Sequence, residues 1–349
     1  MQRKKRFYFF GLVALTLYTL TSISPILKIA KAETPQYGIA KAECVMEQSS
    51  RRILYAWNSD EALPMASTTK ILTAATVLEQ CDDLQEQIVI PNAAEGVEGS
   101  SVYLKSGDVY TVEDLLYGLM LRSGNDCATA LAIRFGGDIP RFSTMMNTVA
   151  QKAGALHSRF CNPHGLPCNG HYTTARDLSY ITCYALENPI LRQIVSTQYY
   201  RMRNWKNKNK MLTNYEGAIG VKTGYTKQAG RCLVSAATRE NMTLVCTVLN
   251  CSMTYERSAQ LLDDAFSAYE YVQILGAETP LKILDGKREY VGCARRAYSY
   301  PLLKEERELL SVKTYPKKTE YNKKDGEIVG EFEIYLAKHL LFSGNLYKL

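Results

Sequence analysis

Apolar positions recur at helical spacing in some stretches of the chain and alternate in others, which predicts a mixture of helices and strands. Ala66–Glu79 reads as a helix: Ile71, Leu72, Ala75 and Leu78 form a 3.6-period stripe, and Pro64 marks a loop just before it. Thr111–Arg122 is a second predicted helix, with Thr111 and Asp114 in an N-terminal capping pattern. Gly124 breaks it, and Asn125 or Asp126 can cap the next, Cys127–Phe135. Further helices are expected at Thr174–Leu186 and Glu256–Tyr271. Residues 36–57 predict two strands around the polar turn Glu47–Arg52. Gly220–Gly224, Cys232–Thr238 and Thr243–Leu249 are β-rich runs joined by short turns, the pattern of an antiparallel meander. After about residue 275, short runs with Tyr, Val and Ile are separated by Gly, Pro and Lys clusters, which predicts a small all-β domain. Its lysines Lys317, Lys318, Lys323 and Lys324 read as a solvated face. The expected fold class is α+β, an antiparallel sheet flanked by helices over 33–274, followed by a β-rich domain over 275–349.

The N-terminus changes how the charge is read. Arg3, Lys4, Lys5 and Arg6 precede an apolar run from Phe7 to about Leu20, and Ala30-Lys31-Ala32 offers a small-x-small cleavage site. Residues 1–32 are thus expected to be a secretory signal; the alternative is a retained anchor, although the apolar run is shorter than the ~20 residues a spanning helix needs. The formal net charge is +7, and the segment holds six basic residues and no acidic ones, so a mature chain is near +1. Basicity therefore gives no support to a nucleic-acid role. Export permits disulfides among the ten cysteines, but several, such as Cys127, Cys183, Cys232 and Cys246, sit in apolar runs. Mostly free, buried thiols are expected.

Candidate chemistry begins at Ser67-Thr68-Thr69-Lys70. At a helix start, positions i and i+3 share a face, so Ser67 and Lys70 can meet. A serine hydroxyl needs a base to become a nucleophile, and burial with a helix N-terminus lowers a lysine pKa into that role. The pattern alone is weak, since a chain this long yields ~1–2 chance matches. Two further motifs follow in order: Ser123-Gly124-Asn125 between two helices and Lys222-Thr223-Gly224 on a predicted strand. The first can present a hydroxyl and an amide into a cleft. The second can bind a carboxylate, with Gly224 admitting a close backbone approach. A chance triple in these contexts is on the order of a per cent or less. Ser343-Gly344-Asn345 repeats the middle motif in the strand-rich tail and is read as coincidence.

With these motifs the chain resembles the serine-type D-alanyl-D-alanine carboxypeptidases, the low-molecular-mass penicillin-binding proteins. The likeness extends through Ile71-Leu72-Thr73-Ala74, Asn162-Pro163-His164-Gly165-Leu166, His171–Asp177 and Gly220–Cys232, and covers about residues 36–275. It implies a penicillin-binding-protein or β-lactamase-like catalytic domain with no cofactor. It also implies roles: Ser67 forms the acyl-enzyme, Lys70 accepts its proton, Ser123 relays a proton to the leaving D-alanine and Asn125 orients the substrate amide. Lys222 and Thr223 hold the terminal carboxylate, Arg257 adds a second positive charge there, and the backbone N–H groups of Ser67 and Tyr225 form the oxyanion hole. The implied partners are the pentapeptide of peptidoglycan and β-lactam inhibitors, with membrane contact only if the N-terminal segment is retained.

The alternatives are a β-lactamase-like hydrolase and a catalytically silent penicillin-binding wall protein. Between Ser123 and Lys222 there is no E-x-x-L-N-like segment for deacylation; Glu187 precedes Asn188 and Pro189 instead, which favours the carboxypeptidase. The intact triple disfavours the silent protein. Two departures stand out. The chain stops at Leu349 in strand-like sequence rather than in an amphipathic helix, so a soluble mature enzyme is expected. Cys161-x2-His164-x3-Cys168-x2-His171 has a spacing compatible with zinc, a disulfide or two free thiols.

Overall fold

The computed structural model describes residues 40–286, 288–317 and 324–348. The chain opens with β1 (Ala42–Glu47) and β2 (Ile53–Trp57), the predicted pair around the Glu47–Arg52 turn. A helical half follows: α1 (Lys70–Leu78), α2 (Val112–Tyr117), α3 (Asn125–Gly136), α4 (Ile139–Lys152), α5 (Ala175–Ala185) and α6 (Pro189–Ser196). The meander is β3 (Ala218–Thr226), β4 (Gly230–Arg239) and β5 (Met242–Leu249), and α7 (Thr254–Ala268) closes this part. The five strands form one antiparallel sheet in the order β2-β1-β5-β4-β3, so the first and last parts of this sequence meet at β1 and β5.

Alternation along the strands explains why both faces are covered. Ala42, Cys44 and Met46 of β1 join the core under the helical half with Leu72, Leu131 and Ile181. Val45 and, on β5, Leu244, Cys246 and Val248 face the other way and pack with Leu261, Leu262 and Ala265 of α7. None of the ten cysteines is in a disulfide, and Cys127, Cys183, Cys232 and Cys246 are buried.

Helix ends follow local chemistry. The Thr111 hydroxyl accepts from the Asp114 N–H at 3.0 Å, and the Thr174 hydroxyl from the Asp177 N–H at 3.0 Å. α3 starts earlier than the pattern predicts because Gly124 occupies the cap. Asn125 and Asp126 are engaged elsewhere; an Asp126 carboxylate oxygen accepts from the Val102 and Leu104 N–H groups. α4 and α6 are absent from the sequence reading, though their signals exist. Asp138 and Asn188 cap them, Pro140 and Pro189 sit in their first turns, and Phe142, Met146, Val149 and Ala150 make the buried stripe of α4. α7 stops at Ala268 rather than Tyr271, because the next residues are drawn into strand pairing.

That strand is β6 (Tyr269–Leu275), paired with β9 (Tyr298–Leu303). The rest of the C-terminal part is a five-stranded antiparallel sheet of β7 (Leu281–Asp285), β8 (Arg288–Cys293), β10 (Leu310–Pro316), β11 (Ile328–Leu336) and β12 (His339–Lys348), in the order β7-β8-β12-β11-β10. Ser343-Gly344-Asn345 lies within β12, opposite Glu331, Phe332 and Glu333, as an ordinary strand segment. Lys317 and Lys324 are exposed; Lys318 and Lys323 lie outside the described residues. The Arg52 guanidinium joins the two parts: it donates to both Glu306 oxygens at 2.6 and 2.9 Å and to the Pro301 carbonyl at 2.6 Å.

Candidate active site

Ser67 sits in a single 3-10 turn, Ala66–Thr69, that runs directly into α1. The Thr68 hydroxyl donates to the Met65 carbonyl at 2.6 Å and the Thr69 hydroxyl to the Ala66 carbonyl at 2.8 Å, which fixes the turn. Lys70, one turn on, is fully buried. Its Nζ lies 3.0 Å from Ser67 Oγ, 2.6 Å from Asn125 Oδ1 and 2.7 Å from the His164 carbonyl. Two of these three partners can only accept. An uncharged amine has two N–H bonds and one lone pair, so Asn125 and His164 take the N–H bonds and the lone pair is left for the Ser67 O–H. The arrangement therefore specifies a base, provided the ammonium is disfavoured. Burial first, then the charge of Lys222, push the Lys70 pKa well below its ordinary value, against a smaller opposing pull from Cys127 and Asp126. Burial and the nearby charge of Lys208 bring Lys222 down to about 7.

The middle motif closes one side of the cleft. A π-helical turn, Gly118–Arg122, ends at Ser123, whose φ of 63° turns the chain back before α3. A Cβ on Gly124 would lie 2.7 Å from Asp126 Oδ1 and 2.9 Å from Cys127 Sγ, so a larger residue at the middle position would have to displace these side chains. Asn125 is buried, and its side chain is held between Lys70 and the Glu98 carbonyl, to which Nδ2 donates.

The edge strand β3 forms the opposite wall. A Cβ on Gly224 would meet the Met65 carbonyl at 3.0 Å and the Ser67 nitrogen at 3.1 Å. The close approach that this glycine permits is thus between β3 and the chain's own nucleophile turn, where a substrate approach was expected. Lys222 is buried and donates to the Thr223 carbonyl at 2.9 Å. Ser67, Ser123, Lys208, Thr223, Tyr225 and Arg231 line a cleft of about 400 Å³.

Arg257 is not among them. It is buried on the α7 face of the sheet, where Nε and Nη2 each bond a Glu43 carboxylate oxygen at 2.7 Å and Nη2 also reaches the Tyr55 hydroxyl. An arginine this deep keeps its carboxylate partner, so the expected contribution to substrate binding is corrected: the guanidinium in the cleft is Arg231 of β4, directly across from Tyr225. Arg231 was legible only through register, because a short hairpin after Lys222-Thr223-Gly224 returns it to that strand.

The Cys161–His171 loop buttresses the turn. A Cβ on Gly165 would fall 1.9 Å from the Ala66 carbonyl, so only glycine fits there, and its φ is 86°. His171 accepts from the Cys161 N–H at Nδ1 (3.0 Å) and meets the Thr69 hydroxyl at Nε2 (3.0 Å). His164 Nδ1 accepts from the Leu166 N–H at 3.2 Å. Burial lowers both histidines, His164 to about 3 with help from Lys70, and His171 to about 4. The Cys161 and Cys168 thiols both point at the Asn169 carbonyl, at 3.6 and 3.8 Å. Both His171 ring nitrogens are in use, and no group of three or more His, Cys, Asp or Glu among the described residues is arranged to hold a metal, so the zinc spacing is not realised.

A serine facing a buried amine lone pair, in a cleft between a sheet edge and an interhelical loop, defines a serine acyl-transfer enzyme of the penicillin-recognising kind. Residues 29–253 match the Peptidase_S11 family, described as D-alanyl-D-alanine carboxypeptidase, and the chain belongs to that family. It is 32% identical over 269 residues to the D-alanyl-D-alanine carboxypeptidase DacF of Bacillus subtilis, covering 72% of this chain and 69% of that one. It is 37% identical over 227 residues to the D-alanyl-D-alanine carboxypeptidase of Streptomyces sp. strain K15, covering 58% and 78%. The crystal structure of penicillin binding protein 5 from Haemophilus influenzae superposes with a TM-score of 0.73 at 26% identity, over 90% of this chain and 98% of that one. This protein is therefore a serine-type D-alanyl-D-alanine carboxypeptidase of peptidoglycan peptides. Among the described residues no helix is long and apolar enough to cross a membrane, and the expected signal at 1–32 lies outside them.

Proposed function

We propose that Ser67 attacks the penultimate D-alanine carbonyl of a stem peptide, with neutral Lys70 taking its proton. The carrying observation is the Lys70 amine, whose two pure acceptors leave its lone pair for Ser67. The tetrahedral oxyanion is held by the Ser67 and Tyr225 N–H groups. Collapse breaks the C–N bond, and Ser123 passes a proton to the departing D-alanine amine. Lys222, Thr223 and Arg231 hold the terminal carboxylate, and Asn125 supports the amide side while anchoring Lys70. Water, with Lys70 again as base, then hydrolyses the ester. The work is done outside the cytoplasmic membrane, after removal of residues 1–32.

β-Lactams acylate Ser67 in the same way and stay. Among the described residues the cleft lining contains no carboxylate to drive rapid deacylation, and Glu187 is engaged with Arg51 at the β1–β2 turn. The wild-type protein is expected to release D-alanine from a D-Ala-D-Ala peptide while consuming nitrocefin only stoichiometrically. Sustained nitrocefin turnover without D-alanine release would reverse the reading.

The pH profile follows from Lys222. In the free enzyme it loses its charge as pH rises through about 7, so kcat/KM for the peptide is expected to fall on that limb. Bound carboxylate favours the ammonium, so the same limb in kcat lies at higher pH. Stability moves oppositely. Between about 7 and the ordinary 10.5, the unfolded chain holds the Lys222 proton and the folded one does not, so stability increases with pH across that window. A thermal-melt series against pH checks this, and Lys222→Met should lessen the slope without abolishing it, because the buried Lys70 contributes in the same sense.

A further inference from the structure

The loop that braces the catalytic helix carries two thiols that the mechanism leaves unused. At its base Arg159 and Tyr172 each accept the other's N–H, at 2.9 and 3.0 Å. Its tip holds α1: the His164 carbonyl accepts from Lys70, the Pro163 carbonyl accepts from the Thr73 hydroxyl at 2.6 Å, and Gly165 packs on the Ala66 carbonyl. Cys161 and Cys168 stand between base and tip, one on each arm. His171 links the arms: its N–H donates to the Cys168 carbonyl at 3.0 Å, and its Nδ1 accepts from the Cys161 N–H. Both thiols turn to one acceptor, the Asn169 carbonyl, which brings the sulfurs into the same small space.

Exposure separates this pair from the other cysteines. Seven of the ten are buried, and Cys81 turns to the Asp83 carbonyl at 3.3 Å, whereas Cys161 is half-buried and Cys168 exposed. Burial, then the adjacent Cys168, raise the Cys161 pKa, against a smaller opposing pull from Arg159. An enzyme acting on peptidoglycan works outside the reducing cytoplasm, where disulfides persist. We propose that Cys161 and Cys168 are a modification site: they form a disulfide by exchange with a disulfide oxidant, and the bond clamps the loop that holds the His164 carbonyl on Lys70. Cys168, the exposed thiol, attacks the oxidant as a thiolate, forms a mixed disulfide and expels one thiolate. Cys161 then attacks Cys168 Sγ and expels the second. The two cysteines lose two electrons and two protons, and the oxidant's disulfide becomes two thiols. The clamp restricts the unfolded chain and leaves the acceptors around Lys70 as they are, so it acts on the persistence of the site rather than on its chemistry.

The test equilibrates the reduced full chain with glutathione disulfide, then alkylates and digests it with trypsin. Both cysteines fall on one peptide, Phe160–Arg176, so the bridged form is that peptide unalkylated and lighter by two hydrogens. Bridged protein is expected to melt about 4 °C or more above reduced protein. Well below both melts, its rate of labelling by a fluorescent penicillin should stay within about twofold of the reduced rate. Between the two melts only the bridged form should label. Cys161→Ser should stop at glutathione on Cys168, and Cys161→Ser/Cys168→Ser should melt with reduced wild type whatever the oxidant. Glutathione left on both wild-type cysteines, a bridge from either to a different cysteine, or a bridge that leaves the melt unchanged or lowers it overturns the proposal. Protection of both thiols from alkylation by zinc alone also overturns it, in favour of metal binding. Labelling lost on bridging well below both melts does the same, since the clamp would then distort the Lys70 site. Mass and melt are read without substrate, so they decide the clamp whether or not the Ser67 reading holds.

Discussion

Lys70→Met is expected to give a folded protein that acylates with a fluorescent penicillin on the order of 10⁴-fold more slowly than wild type. The side chain keeps the apolar stem, one atom shorter, but loses the amine and the lone pair beside Ser67. Lys70→Arg makes the complementary point, because a guanidinium stays protonated and can only donate. If Lys70 served merely to supply positive charge, arginine would preserve most of the rate. If it is the base, arginine should fail about as badly as methionine. Ser67→Ala should lose labelling entirely, and adding Lys70→Met to it should change nothing further, since groups acting as one unit are not additive. Melting curves separate rate from folding: Lys70→Met relieves the desolvated amine but takes the donor from Asn125 Oδ1 and the His164 carbonyl, so the two effects oppose and the protein should remain folded. Labelling of Ser67→Ala at the wild-type level, or of Lys70→Met within about tenfold of it, would remove the nucleophile–base assignment.

The sequence exposed those parts of the site that depend on spacing within one element. Ser67 and Lys70 meet because a helix start places i and i+3 together, and the β3–β5 meander is legible because apolar residues alternate between turn signals. The contacts that specify the chemistry cross between elements. The His164 carbonyl that fixes the Lys70 lone pair comes from a loop nearly a hundred residues away, and no periodicity marks a backbone acceptor. Gly224 was recognisable as a site of close approach, but what approaches is the Met65–Ser67 turn, a fact of packing. The cysteine and histidine spacing illustrates the converse. It imitated a metal site, while the fold spends His171 on Thr69 and the Cys161 backbone. α4 escaped because a mostly polar helix with a narrow buried stripe looks like loop until its Asp138 cap is weighed.

Arg231 and Arg257 should separate substrate binding from stability. Arg231→Ala is expected to raise KM for a D-Ala-D-Ala peptide about tenfold to a hundredfold, the scale of one hydrogen bond to a charged group, with the melting temperature almost unchanged. Arg257→Ala should do the reverse. It strands the Glu43 carboxylate, 1% exposed, with the Tyr55 hydroxyl at 3.0 Å as its remaining partner. Breaking a buried pair from one side costs about 3–5 kcal/mol. Neutralising both partners should recover much of that loss, because the penalty arises from the uncompensated charge, so Glu43→Gln/Arg257→Met should melt above Arg257→Ala. The folded fraction of Arg257→Ala should still acylate and bind peptide normally. A large KM increase in the stable Glu43→Gln/Arg257→Met protein, with none in Arg231→Ala, would return the carboxylate to Arg257 and require its guanidinium to give up two 2.7 Å bonds to Glu43.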